Sequence, residues 1–174
     1  MGAPFVDECL PLLARTPAAL DALLRDLPSQ WTEATEGPGT WSTRDVLGHL
    51  VHCEKTDWLP RLKIILEHGP SRPFDPVDRE AQFRESANTP LPALLDEFSR
   101  LRRDSLTYLG TLDLQSAQLD LEGRHPALGQ VTLRQLLAAW TAHDLAHVLR
   151  VSRVMARRFR QETGPWAEYL SVMK

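Results

Sequence analysis

The sequence predicts an all-α fold, a four-helix bundle with long irregular connections. Four segments carry apolar residues at helical spacing, start and stop residues bracket them, and no run of alternating strands competes with them. A chain of 174 residues suffices for one core of ordinary size, so residues 1–174 read as a single helical domain.

The first segment, TPAALDALLRDLP (16–28), opens on Thr-Pro, carries leucines at 20, 23, 24 and 27, and stops at Pro28. The second, WSTRDVLGHLVHCEKTDWLPRLKIILEHG (41–69), starts with Ser42 and Asp45 in a capping-box relation and ends at Gly69-Pro70. Pro60 inside it predicts a kink or break near Trp58. The third (91–112) presents Leu94, Leu95, Phe98, Leu101, Leu106 and Leu109 as its apolar stripe. The fourth runs from Thr132, paired with Gln135 as a second capping box, to about Phe159. Residues 33–40 and 68–80 are rich in Gly and Pro and read as loops, and 120–132 has turn signals around a short extended piece. The long 67–90 connection leaves room for a topology other than up-down-up-down.

Hydrophobic residues at 43% and charged residues at 25% are those of an ordinary globular protein. A net charge of −3 argues against a nucleic-acid partner, and the basic clusters RLRRD (100–104) and RRFR (157–160) read as solvated helix faces. No stretch approaches the roughly 20 apolar residues of a membrane span. The start MGAPFVDECLPLLAR is acidic and proline-broken where a signal peptide is basic and then apolar, and Cys9 and Cys53 form no CxxC pattern. The expected compartment is the reducing cytoplasm.

Chemistry concentrates in WTAHDLAHVLR (140–150). His143 and His147 are one helical turn apart and project from the same side of an otherwise apolar helix, a spacing that lets two imidazoles reach one metal ion. Two histidines hydrogen-bonded at a helix contact satisfy the same pattern. GHLVHCE in the second helix offers a third donor, His49, His52 or Cys53, with His49 and His52 about 60° apart around the axis. Facing helices of a bundle deliver ligands into its core, and three protein ligands leave a position open for water or substrate. Asp144 and Asp45 read either as carboxylates that orient imidazole N–H groups or as an exposed helix charge and a cap. The five tryptophans read as core and helix-junction anchors.

WSTRDVLGHL (41–50), followed some ninety residues on by GQVTLRQLLAAWTAHDLAH (129–147), resembles the DinB/YfiT superfamily over most of the chain. The resemblance implies a DinB/YfiT-type four-helix bundle, often dimeric, that binds a divalent metal through three histidines. One comes from the tryptophan-led motif of the second helix and two from the HxxxH of the last. Carried over by position, the implied ligands are His49, His143 and His147, with His52 as the alternative to His49 and Cys53 behind both. The ion implied is Zn, Ni, Fe or Mn. Many members carry glutamine three residues past the last ligand, where this chain has Arg150. An inward-facing Arg150 is a possible contact for a carboxylated or phosphorylated substrate.

The function so implied is a metal-dependent enzyme acting on a small-molecule substrate. The two activities expected are transfer of a low-molecular-weight thiol of bacillithiol or mycothiol type and metal-dependent hydrolysis. Homodimerisation is expected from the resemblance alone. The competing expectation is a non-catalytic, stress-associated dimeric bundle that binds a metal or small ligand.

Overall fold

The computed structural model describes residues 3–78 and 80–174. Helix α1 (Pro4–Leu24) starts at Pro4, not at the predicted Thr16, and carries Pro11 and Pro17 in its interior. Pro17 has no N–H for the carbonyl of Leu13, one turn back. The fold supplies a different donor, because Arg102 Nη1 reaches Leu13 O at 2.8 Å. The Thr-Pro pair is thus an internal feature of a longer helix, tolerated because a buried cation replaces the missing bond.

After the short α2 (Ser29–Thr32), Ser42 caps α3 (Thr43–Thr56) and the predicted capping box closes from both sides, Ser42 with Asp45. The break falls at Asp57, and α4 (Trp58–His68) holds Pro60 in its first turn, where an N–H has no helical acceptor to lose. The following stretch, read as loop through residue 80, gives way to a further helix, α5 (Ala81–Ser86). Its entry is set by Asp78, whose Oδ1 accepts the N–H groups of Glu80 and Ala81 at 3.0 and 3.1 Å. Helix α6 (Leu91–Thr111) follows with proline in its first turn.

The short extended piece is a hairpin, β1 (Glu122–His125) antiparallel to β2 (Gly129–Thr132). Gly123 lets it lie against α4, since a Cβ there would stand 2.7 Å from Ile65 Cγ1 and 2.8 Å from Phe74 Cζ. Thr132 then caps α7 (Leu133–Arg157) with Gln135, and α8 (Arg160–Thr163) precedes short 3₁₀ turns at the C-terminus.

Helices α1 and α3 both pack on α6 and α7, which places α1 and α3 diagonally across the bundle. In an up-down-up-down bundle consecutive helices are neighbours. Here they are not. No helix among the described residues is long and apolar enough to cross a membrane.

The buried apolar side chains form two clusters. One includes Leu13, Trp58, Leu62, Leu133 and Trp140, and the other includes Leu20, Leu47, Leu94, Phe98 and Val151. Between them Arg102, 1% exposed, binds Glu54 and Asp144, while Trp140 Nε1 and Ser105 Oγ donate to Glu54 at 3.1 and 2.8 Å. This polar layer ties α1, α3, α6 and α7 together at one level. The histidine-bearing turns of α3 and α7 lie at that level.

Candidate metal centre

The turn of α3 that follows the capping box faces the middle of α7, and three imidazoles meet there. His49 Nε2 lies 3.0 Å from His143 Nε2, and His147 Nε2 lies 3.1 Å from the same nitrogen. A neutral imidazole nitrogen offers one in-plane site, a proton or a lone pair. His143 Nε2 can therefore complete a hydrogen bond with one of its two neighbours and not with both. Three Nε2 lone pairs converging on a cation satisfy all three rings at once. The donor set fits a divalent ion.

Gln82, from α5, fixes one tautomer. Its Oε1 accepts the His49 Nδ1–H at 2.6 Å, which leaves the lone pair of Nε2 turned toward His143. That contact needs α5 close to α3, and Gly48 permits it. A Cβ on Gly48 would stand 2.6 Å from Ser86 Oγ and 2.9 Å from Ser86 Cβ. The Nδ1 atoms of His143 and His147 are buried without a partner among the described residues.

Electrostatics keep the rings neutral. Burial first, and then His147 and His49, hold His143 down at about 3. Burial first, and then His49 and Arg150, hold His147 at about 4. For His49, burial lowers the value more than the Gln82 hydrogen bond raises it. Neutral imidazole is the ligand form.

Tryptophans wall the site. Trp41 lies parallel to His147 with ring centroids 6.1 Å apart and meets His49 at 4.9 Å, while Trp58 meets His143 edge-on at 5.1 Å. Trp58 and Trp140 stack on one another, as expected of core anchors, but Trp41 and Trp58 also line the cleft beside the histidines.

The alternative donors lie differently. His52 Nδ1 faces Glu85 Oε2 on α5 at 3.2 Å. Its ring is not among those that meet at His143. Cys53 Sγ stands 3.5 Å from His49 Nε2, and Cys53, His49 and His143 offer donor atoms within 4.8 Å of one another. Burial and then Asp57 push the Cys53 thiol up, which favours its protonated form. Neither carboxylate meets an imidazole: Asp45 caps α3, the other of its two readings, and Asp144 is buried on Arg102 instead of exposed. Asp144 is turned about 100° around the α7 axis from His143, and Asp45, one turn before His49, is held back at the Ser42 cap. Arg150 lies over Trp41, 4.8 Å from the ring centroid, and lines a shallow depression with Glu36, His147 and Arg153.

A cleft of about 640 Å³ opens beside His49, Cys53 and His143, with Asp57, Arg61, Gln82 and His125 on its walls. Of these, Gln82, Asp57 and Arg61 escape sequence reasoning. The Asx turn at Asp78 signals a helix start ahead of Gln82, but no spacing rule carries α5 onto α3.

The model of the DinB superfamily matches residues 12–151. The chain belongs to the DinB superfamily. Its fold is similar to that of YfiT from Bacillus subtilis, described as "a probable metal-dependent hydrolase with an unusual four-helix bundle topology". The two superpose with a TM-score of 0.76 at 21% identity, over 87% of this chain and 86% of that one. No curated protein matches the sequence. Within this DinB-superfamily bundle, the diagonal placement of α1 and α3 is what lets α3 and α7 share the histidine site.

Proposed function

We propose that this DinB-superfamily protein is a divalent-metal-dependent enzyme whose ion is held by Nε2 of His49, His143 and His147. The observation that carries the reading is the approach of both His49 and His147 to one nitrogen of His143 at 3.0 and 3.1 Å. A divalent ion there would lower the pKa of a thiol or water brought to it and polarise a substrate carbonyl. Imidazole donors suit Zn, Ni and Fe, and leave Mn as the harder option.

The chain's own residues prepare that chemistry. Gln82 holds the proton of His49 on Nδ1. Trp41 and Trp58 keep water from two sides of the rings. Arg102 pairs with both buried carboxylates, Glu54 and Asp144, beside the centre, and burial pushes the Glu54 carboxyl above its ordinary value.

The reaction we infer is transfer of a low-molecular-weight thiol, of the bacillithiol or mycothiol kind, to an electrophile in the cleft. Thiolate chemistry needs no general base once the thiol is ionised. The carboxylate that lines the cleft, Asp57, is paired with Arg61 at 3.2 Å. Hydrolysis is the second reading, favoured by the description of the solved Bacillus subtilis fold-mate.

Metal analysis of untagged protein tests the centre. Wild type, His52→Ala and Cys53→Ala are expected to retain stoichiometric metal, and His49→Ala and His147→Ala to lose it. Full metal in both of the latter variants sinks the proposal. Turnover of a generic electrophile only in the presence of an added thiol identifies a transferase, and thiol-independent ester cleavage a hydrolase. Metal retention with neither activity favours the non-catalytic binding bundle.

A further inference from the structure

Among the described residues two arginines are buried, and only one is satisfied. Arg102 places Nε on Glu54, Nη1 on Leu13 O and Asp144, and Nη2 on Asp144. Arg61, on α4, is 8% exposed, yet its Nε and Nη2 are shut from solvent and make no hydrogen bond among the described residues. Asp57 Oδ1 approaches Nη2 at 3.2 Å as an ion pair, without the alignment of a hydrogen bond. Phe74 covers one face of the guanidinium, with the ring centroid 5.6 Å away. A charged donor left short of acceptors in a protein interior destabilises the fold unless something supplies them.

What Arg61 lines is the cleft beside His49 and His143. The other polar groups on that wall are also donors. Gln82 spends its Oε1 on His49, and its Nε2 is buried with no partner among the described residues. His125 accepts the backbone N–H groups of Ala127 and Leu128 at Nδ1, both at 3.1 Å, which leaves its proton on Nε2. Phe74 meets the His125 ring edge-on at 6.1 Å, so one aromatic side chain braces both Arg61 and His125. Against these donors, and apart from the imidazole lone pairs of the candidate centre, stands one acceptor, the Asp57 carboxylate. The wall is short of acceptors, and a planar anion with two oxygens supplies them in the geometry a guanidinium prefers.

We propose that the cleft takes a small molecule bearing a carboxylate, and that Arg61 anchors that carboxylate while the reacting end lies at the histidine centre. This deepens the reading of a metal-dependent enzyme by naming its substrate class, and it rests on that reading only for the reaction at the other end. It also assigns to Arg61 the anchoring role that the sequence suggested for Arg150. Asp57 then acts as the occupant's competitor, holding the guanidinium in place until a ligand carboxylate displaces it. The volume of about 640 Å³ is that of a cleft for one small ligand.

The test is calorimetric titration of the full chain, stripped of metal by a chelator that is then removed by gel filtration, with succinate, its neutral diamide succinamide, and inorganic phosphate. Wild type is expected to bind succinate saturably and at least roughly tenfold more tightly than succinamide or phosphate. Arg61→Gln should weaken succinate by about tenfold or more, Arg61→Lys by less, because the charge stays and the fork is lost. Asp57→Asn should tighten it by removing the competing carboxylate. Circular dichroism establishes that each variant is folded, and Arg61→Lys and Asp57→Asn keep the question open to an answer if Arg61→Gln is not.

Wild-type affinity in Arg61→Gln, equal binding of succinamide, preference for phosphate, or no saturable succinate binding overturns the proposal. So does succinate binding that appears only when metal is restored, since the ion would then be the carboxylate's partner. If His49→Ala and His147→Ala keep their metal, the reading of the centre falls, and the metal-free titration still decides Arg61 separately.

Discussion

Gln82 Oε1 stands 2.6 Å from His49 Nδ1, so a side chain on a short helix between α4 and α6 decides which nitrogen of His49 carries the proton. The orientation of one ring of the candidate centre thus depends on an element outside the four-helix frame. Gln82→Leu is expected to lower metal affinity by roughly 10- to 100-fold with the fold intact. Competition against a chromophoric chelator measures it, and an unchanged affinity would show that the contact does not tune the site.

Gly48 and Ser86 are the point where α5 rests on α3. Gly48→Ala puts a methyl 2.9 Å from Ser86 Cβ, and overpacking of this kind costs about 1–3 kcal/mol. Ser86→Gly in the same chain should recover most of that loss. Urea unfolding of both single variants and the double variant gives the coupling energy, and strict additivity would mean that the two residues do not collide.

Acid should weaken the metal-free protein through its histidines. His143 is held at about 3 and His147 at about 4, against the usual 6.5, chiefly by burial. Between those values and 6.5 the unfolded chain binds more protons than the folded chain, so stability rises with pH across the window and is lost as pH falls through it. Thermal melts at successive pH values should show the midpoint dropping below about 6.5, with a shallower slope in His143→Gln. A wild-type midpoint constant across that range contradicts the neutral, buried assignment.

Arg102 holds two buried carboxylates and the carbonyl that Pro17 orphans. Arg102→Met leaves Glu54 and Asp144 without a counter-charge, which is expected to cost about 3–5 kcal/mol. Chemical denaturation would register this as a lower midpoint. A loss below about 1 kcal/mol, the scale of an exposed pair, would assign the layer a minor role in stability.

Local rules reach far into this protein. Four helices, the caps at Ser42 and Thr132, the interruption near Pro60 and the common face of His143 and His147 follow from spacing within one or two turns of chain. Helix α1 is misjudged where a local rule meets a distant partner. Thr16-Pro17 reads as a start because proline lacks an N–H, and Arg102, far along the chain, is what makes it an interior position.

What the sequence by itself determined is the set of helices and the identity of the histidines that can share a face. What only the tertiary structure decided is which of them meet. His49 and His52 differ by about 60° around one helix axis, a distinction that has no meaning until the neighbours of α3 are known. One direction leads to His143 on α7 and the other to Glu85 on α5. Gln82 and Arg61 belong to the same class. Their partners and unmet donors arise from the packing of α5 and α4 against the bundle, and contacts between residues distant in sequence leave no periodic signal in the chain.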